Sequence, residues 1–208
     1  MRISNRLEKH LAVALSAAAG IAASSNAAVV AWENCNLVIP NTIDGLYINV
    51  ETRVSGSAGS VVAGWDINPY SATSLTWFNA TGTGMMRFPG VTTGSAGSLA
   101  LGTVVGGTGV TNNGFATSFG SGAVVVGSAP GNWQLNAVNY FGFRFIGASG
   151  LTHYGYGTFQ IGSSISGPDR TITNLYYEDV AGAAIVIPAP GALALLGVAG
   201  LARGRRRA

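Results

Sequence analysis

Few side chains in this sequence are of a type and spacing that would support catalysis. There are two histidines, and only His153 lies in the central part of the chain. A hydrolytic triad would have to use it, and no serine stands in a Gly-x-Ser-x-Gly elbow. His153 lies among Tyr and Gly residues on a predicted strand, where a structural or interfacial histidine is the better interpretation. The sequence therefore predicts no catalytic residue and a protein that is not an enzyme.

The acidic residues and the single cysteine do not form a recognisable metal or cofactor site. Glu178 and Asp179 are adjacent, so on a strand they would point to opposite faces, which does not favour a glycosidase pair. Calcium prefers oxygen ligands, and Asp169 with the Glu178–Asp179 pair are the candidates, although solvated turn acids are the simpler interpretation. Transition metals prefer clusters of His and Cys, whereas Cys35 is the only cysteine. We predict a buried apolar thiol there, no metal and no cofactor.

Charge is scarce and is concentrated at the two ends of the chain. Charged residues make up 9% of the sequence, against about 25% in ordinary soluble domains. Residues 28–187 contain four arginines, seven acidic residues and no lysine, a net charge of −3. Nucleic-acid binding requires a basic patch that neutralises phosphates. The sequence therefore predicts that nucleic acid is not a partner.

The amino terminus has the layout of a secretory signal peptide. Residues 1–10 are polar and basic, residues 11–23 are uncharged and mostly apolar, and small residues follow. This tripartite order is typical of a leader that is removed on export. Ser25 and Ala27 suit the two small positions before a cut, so we predict a signal peptide over 1–27 with cleavage after Ala27. The alternative, an ordinary amphipathic helix, would need a polar face that the apolar run lacks.

The carboxyl terminus combines a proline motif, an apolar segment and a basic end. Pro188-Ala189-Pro190-Gly191 would break any helix that arrives from upstream. A helix over 191–202 would have 12 residues and span about 18 Å, which is short against a hydrocarbon core of about 30 Å. Basic residues stay on the cytoplasmic side of a membrane, so the tail predicts an inner-membrane intermediate with the body outside. The basic residues are Arg203, Arg205, Arg206 and Arg207, within 203–207.

This order and terminal position resemble the PEP-CTERM sorting signal of exported bacterial proteins, over residues 188–208. The resemblance implies that an exosortase, a membrane-embedded cysteine protease, removes the tail. It also implies release or transfer of the protein to the cell surface or extracellular matrix. Ala189 stands where the family has its central Glu. A simple short tail anchor is the alternative.

Between its two ends, over residues 28–187, the sequence has the pattern of β-strands. Phe141, Phe143 and Phe145 alternate with Gly142 and Arg144, a period of two. On the same reasoning Tyr154 and Tyr156 share one face, with His153, Phe159 and Ile161 on the other. Other strand-like pieces are 46–51, 61–67, 74–79, 123–127 and 171–177. Many short strands with frequent Gly-rich turns predict an all-β body, an antiparallel β-sandwich or jelly roll.

Two stretches of the body differ in how well they are specified. Residues 140–187, which include Tyr140-Phe141-Gly142-Phe143 and His153-Tyr154-Gly155-Tyr156, look like the closing strands of the β-sandwich bodies that often precede PEP-CTERM tails. That resemblance bears on fold and location only. The run 93–122 predicts either weak strands or a long loop.

These features predict a non-enzymatic surface or matrix protein with a structural or adhesive role. Its partners would be the secretion machinery, an exosortase and, transiently, the inner membrane. The alternative is a carbohydrate-binding module that holds exopolysaccharide on exposed aromatic rings. Two or more tryptophans on one open face would favour that alternative, and buried tryptophans would favour the structural role. The candidate aromatics are Trp65, Tyr70, Trp77, Trp133, Tyr154, Tyr156, Tyr176 and Tyr177.

Overall fold

Antiparallel β-strands form the regular structure of the chain. The structure is a computed structural model that describes residues 28–107, 114–116 and 123–189. These ranges contain thirteen strands, one 3-10 turn at Gly59–Val61 and no α-helix. The strands are Val29–Trp32 (β1), Leu37–Val38 (β2), Tyr47–Asn49 (β3), Val54–Gly56 (β4), Ile67–Tyr70 (β5), Thr76–Asn79 (β6), Gly84–Met86 (β7), Val104–Val105 (β8), Phe115–Ala116 (β9), Ala137–Ile146 (β10), Thr152–Ile161 (β11), Arg170–Glu178 (β12) and Ile185–Val186 (β13).

The strands pair into three sheets. The largest has seven strands in the order β1-β12-β11-β10-β7-β9, with β2 also paired to β12. A four-stranded sheet has the order β4-β3-β5-β6, and β8 pairs with β13. The pairings between named strands are antiparallel. The predicted all-β, antiparallel class is therefore confirmed.

The long strands β10, β11 and β12 form the centre of the large sheet. A short turn joins β10 to β11, where Gly150 adopts a positive φ of 77° and its amide donates to the carbonyl of Gly147. The pairing of β11 with β12 shifts register between Thr158 and Phe159 of β11. This bulge leaves Thr173 as the extra residue, so Ile172 and Leu175 both reach the same side of the sheet.

The two faces of the large sheet carry different side chains. One, which we call the aromatic face, presents Phe141, Phe143, Phe145 and Phe159 to a core shared with Trp77 of the four-stranded sheet. The other, which we call the tyrosine face, presents Tyr140, Tyr154, Tyr156 and Tyr176 to a second cluster. That second cluster contains Val105, Ile185 and Ile187, from β8, β13 and the residue that follows β13. The predicted alternation along β10 and β11 is confirmed by this division.

Two predicted strands are wrong. Over 61–67, only Ile67 is in a strand, because Gly64 has a positive φ of 62° and the chain turns there. Over 123–127, Ala123 and Val126 form isolated bridges to Thr76 and Trp133, and no consecutive pairs extend them. In the described parts of 93–122, β8 and β9 are strands of two residues each.

The predicted signal peptide, 1–27, lies outside the described residues, as does the predicted sorting signal, 188–208, from Pro190 onward. The predicted helix over 191–202 and the arginine cluster therefore also lie outside them. Within the residues that the structure describes, no helix is long and apolar enough to cross a membrane.

Candidate functional site

A row of three aromatic rings lies on the outer side of the four-stranded sheet. In β6, Trp77 points into the core, so its neighbour Phe78 points outward. Trp65, just before β5, packs on Phe78 with ring centroids 5.1 Å apart, and Tyr47 of β3 meets the same indole edge-on at 5.0 Å. All three rings are half-buried. We call Tyr47, Trp65 and Phe78 the outer row.

A cleft of about 870 Å³ opens beside the outer row. Trp65 and Phe78 line it together with Asn79, Thr81 and the half-buried Arg144, which belongs to β10 of the large sheet. Burial lowers the pKa of the Arg144 guanidinium, which lies 5.1 Å from the centre of the Phe115 ring. The cleft therefore combines aromatic surface with one cation and a hydroxyl, a lining suited to a polar ring compound.

Asp66 is buried next to the strands that carry the outer row. Its carboxylate accepts a hydrogen bond from the Val50 amide at 2.8 Å, and its carbonyl accepts one from the Thr83 hydroxyl at 2.9 Å. Burial raises the pKa of Asp66 to about 7, and the nearby charge of Glu51 adds to the rise. Asp66 is only 3% exposed, so its carboxyl acts on the fold rather than on a ligand in the cleft.

A second surface, the tyrosine groove, lies on the tyrosine face. Tyr156 and Tyr176 are directly opposite each other on β11 and β12, and their rings stack at 4.8 Å. Together with Tyr140, Thr158 and Asn174 they line a groove of about 380 Å³. Burial, followed by the neighbouring Tyr176, raises the pKa of Tyr156 to about 12, so its hydroxyl stays protonated. The groove offers hydroxyl and amide groups beside stacked rings.

The first two residues of the predicted sorting motif border this groove. Pro188 and Ala189 are exposed and line it. Pro190, Gly191 and the arginines Arg203, Arg205, Arg206 and Arg207 lie outside the described residues, as does Ala27. Pro188 and Ala189 therefore follow β13 and Ile187 directly, at the surface of the body.

The tryptophans do not form an exposed platform. Trp77 and Trp133 are completely buried, and the Trp133 indole donates to the carbonyl of Ala96 at 3.0 Å. Trp65 alone of the three candidate tryptophans is half-exposed. Of the candidate tyrosines, Tyr70, Tyr154, Tyr176 and Tyr177 are half-buried and Tyr156 is buried.

His153 is buried in a structural setting. Its Nδ1 lies 2.9 Å from the carbonyl oxygen of Glu178, and its ring stacks on Phe145 at 5.4 Å. A ring nitrogen beside a carbonyl carries the proton, so Nδ1 is the donor. Among the described residues, no serine or cysteine shares a hydrogen bond with the ring.

Glu178 and Asp179 differ from the expectation of opposite faces. Asp179 lies beyond the end of β12, where strand alternation no longer applies. Burial raises the pKa of Glu178, and the side chain of Asp179 raises it further. The two carboxyl groups therefore interact. Asp169 is exposed in its loop, at the opposite end of β12.

Cys35 is a free cysteine next to the main core. The thiol is half-buried against the main core and donates weakly to the carbonyl of Ile172 at 3.4 Å. Burial raises its pKa, which keeps it protonated. In the part of the chain that the structure describes, no three His, Cys, Asp or Glu side chains come together as a metal site would require.

Arg170 is a buried residue that sequence reasoning missed. It is 0% exposed, and burial lowers its pKa. The guanidinium donates to four backbone carbonyls, of Pro40 at 2.6 Å, Ser71 at 3.0 Å, Ser74 at 2.7 Å and Ile165 at 3.2 Å. It thereby ties three loops together. No pattern in the sequence distinguishes such an arginine from one at the surface.

Comparisons with known proteins give no match: no family model, no curated protein and no solved structure aligns significantly with this chain.

Proposed function

We propose that this protein is exported, processed at both ends and used as a non-enzymatic structural or adhesive component of the bacterial surface or matrix. The observation that carries the proposal is where the strands begin and end. Among the described residues, the first strand begins at Val29 and the last ends at Val186, just inside the predicted cut after Ala27 and the motif at Pro188. A folded body that fits between two processing signals is what export and tail removal by an exosortase require.

We infer further that the body is a β-sandwich. The main core draws Ile48, Ile67 and Trp77 from the four-stranded sheet and Phe141 and Phe159 from the large sheet. Two sheets that share one core in this way pack face to face. Such a body is held by its apolar core and not by an intrachain disulfide, since the chain has one cysteine, and this suits a structural role outside the cell.

Intact-mass measurement on protein from the native host tests the processing proposal. We expect a surface or matrix species that begins at Ala28 and lacks Arg203 to Arg207. Replacement of Arg205, Arg206 and Arg207 by Ser should reduce membrane retention before processing, because those charges hold the tail inside. A cytoplasmic species that keeps both Met1 and Arg207 would rule the proposal out.

A carbohydrate-binding role is the second candidate. With Trp77 and Trp133 buried, it depends on the outer row and the cleft beside it. Trp65 and Phe78 offer ring surface for stacking a sugar, and Arg144 offers a donor for its oxygen atoms. An acidic exopolysaccharide would match the single cation.

Tryptophan fluorescence with the host's own polysaccharide tests this second candidate. Binding at the cleft should give a saturable change that is lost in Trp65→Ala. Trp32→Phe is the control, since Trp32 is also half-buried but packs against the main core. A fluorescence change that persists in Trp65→Ala would place the ligand away from the cleft. If no host glycan changes the fluorescence, the structural or adhesive role is the one that remains.

A further inference from the structure

The backbone nitrogen of Ala28 is held by a carboxylate far away in the sequence. It donates to Oδ1 of Asp179 at 2.8 Å, and the amide of Asp179 donates back to the carbonyl of Ala28 at 3.1 Å. The next pair, Val29 with Glu178, begins the ladder between β1 and β12. The contact therefore closes one end of an edge strand of the large sheet.

The predicted cut after Ala27 would change the chemistry of this nitrogen. Hydrolysis breaks the Ala27–Ala28 amide, leaves a carboxylate on Ala27 and turns the Ala28 nitrogen into an α-amino group, with one water consumed. An α-amino group has a pKa of about 7.7–8.0, so it is mostly cationic at neutral pH. Hydrogen bonds between a cation and a carboxylate are shorter and stronger than neutral ones.

We propose that Asp179 is the binding site for the new amino terminus that leader removal creates. The neutral amide contact becomes an ion pair, which adds a charged contact at the end of the ladder between β1 and β12 in the processed chain. This inference rests on the proposed cleavage after Ala27. It gives the Glu178–Asp179 pair a role that needs neither catalysis nor metal.

The surrounding charges favour a cation at this position. Residues 28–32 carry no ionisable side chain, so the local field comes from other elements. Glu51, Arg53 and Asp179 all act electrostatically on Tyr177, which places two carboxylates and one guanidinium in the neighbourhood. Glu178 of β12 interacts with Asp179, and His153 of β11 donates to the Glu178 carbonyl.

The composition of the chain makes the proposal directly measurable. Lys9 is the only lysine in the sequence, and it precedes the predicted cut. A chain that starts at Ala28 therefore has one primary amine, its own terminus. The rate at which an amine-reactive ester modifies the exported protein, followed by intact mass across a pH series, reports the pKa of that group alone.

The full precursor is secreted from a bacterial host, and intact mass first establishes where the exported chain begins. We expect an α-amino pKa above 8, raised by about half a unit or more. At pH 7.5 the exported protein should react about three- to tenfold more slowly than Asp179→Asn. The two rates should converge near pH 10, where both amines are neutral, and the difference should shrink in high salt. Asp169→Asn, an exposed acid at the far end of β12, is the matched control and should behave like the unaltered protein.

The outcomes separate the cleavage from the docking. A chain that begins at Ala28 but reacts at the same rate with and without Asp179 overturns the docking and leaves the export proposal intact. A chain that begins at another residue overturns both the cut and the docking. If Asp179→Asn is not secreted, the pH series of the unaltered protein decides, since a midpoint at or below 8 contradicts the ion pair.

Discussion

The aromatic and tyrosine faces of the large sheet are built from the same strands but differ in how fully their rings are buried and in whether the rings carry hydroxyl groups. Phe141 and Phe159 of the aromatic face pack with Trp77 of the four-stranded sheet, and the three ring centres lie 5.0–6.4 Å from one another. On the tyrosine face, rings of similar size carry hydroxyl groups, and short strands cover them only in part. Tyr176, for example, remains half-exposed and donates to Glu33 at 3.3 Å.

The difference shows how alternation along a strand assigns two roles to one sheet. Removing apolar rings from water is the main source of stability, and the aromatic face does this with few polar atoms. The hydroxyl groups of the tyrosine face can form hydrogen bonds with either protein or water, and the net difference in free energy is small. We therefore expect substitutions on the aromatic face to change stability strongly. On the tyrosine face they should change surface properties more than stability.

The largest expected effect is that of Trp77→Ala. Trp77 is 0% exposed and contacts Trp133, Phe141 and Phe159. Its truncation leaves a cavity in the aromatic layer and should lower the free energy of unfolding by about 3–5 kcal/mol. Tyr154→Ala, on the tyrosine face, should cost less than half as much. Urea unfolding of both variants measures the contrast, and equal losses would show that the two faces are packed alike.

The next expected effect is that of Asp66→Asn, and it depends on pH. The folded pKa of Asp66, about 7, lies above its ordinary value of 3.8. The folded state therefore binds the proton more tightly, so this group's contribution is complete below pH 4 and is lost as pH rises through 7. The loss is at most about 4 kcal/mol, from about 1.4 kcal/mol per unit.

The carboxamide introduced by Asp66→Asn cannot ionise, and its oxygen can still accept a hydrogen bond from the Val50 amide. The variant should thus be about 2–4 kcal/mol more stable than the unaltered protein at pH 9 and similar to it at pH 4. Unfolding free energies across that range measure this. Glu51→Gln is the partial control, because Glu51 contributes only the smaller part of the shift. Glu178, whose pKa is also raised, adds a decline of the same sign in both proteins. Parallel curves for the two proteins would mean that Asp66 is not held protonated.

The long strands could be predicted from sequence because their pattern is local. The spacing of Phe141, Phe143 and Phe145 fixes which side of β10 is buried, whatever lies across from it. The run 61–67 misled because Val61, Val62 and Trp65 have strand-forming side chains, whereas the positive φ of Gly64 turns the backbone.

The sites were less predictable because they depend on distant residues. Asp66 shares hydrogen bonds with Val50, which precedes it, and with Thr83, which follows it. Arg170 donates hydrogen bonds to carbonyls up to 130 positions away. The hydrogen bond between Ala28 and Asp179 joins residues that are 151 positions apart. Composition identified the aromatic residues, but only the fold separates buried Trp77 from half-exposed Trp65.

A third prediction concerns the glycines that make room for the aromatic face. Gly155 lies directly opposite Phe143, and a Cβ at this glycine would come within 2.4 Å of the phenyl ring and 2.5 Å of the Tyr176 carbonyl oxygen. Because backbone and ring cannot both yield, Gly155→Ala should destabilise the protein by about 1–3 kcal/mol. Gln160→Ala, at an exposed position on the same strand, is the control and should stay within about 0.5 kcal/mol. Thermal unfolding compares the two variants. If Gly155→Ala unfolds at the same temperature as the unaltered protein, the packing around Gly155 has room for a methyl group.

The smallest expected effect is that of Tyr176→Phe on the tyrosine face. The substitution removes a hydroxyl whose partner, Glu33, is exposed, and it keeps the ring stacked on Tyr156 at 4.8 Å. An exposed hydrogen bond of this length contributes little, so the free energy of unfolding should change by less than about 0.5 kcal/mol. Tyr176→Ala also removes the stacked ring and should cost about 0.5–1.5 kcal/mol more. Urea unfolding of the three proteins under one buffer separates hydroxyl from ring. A loss for Tyr176→Phe as large as that for Trp77→Ala would contradict the division between the faces, since it would make the tyrosine hydroxyl as important to the fold as the buried indole.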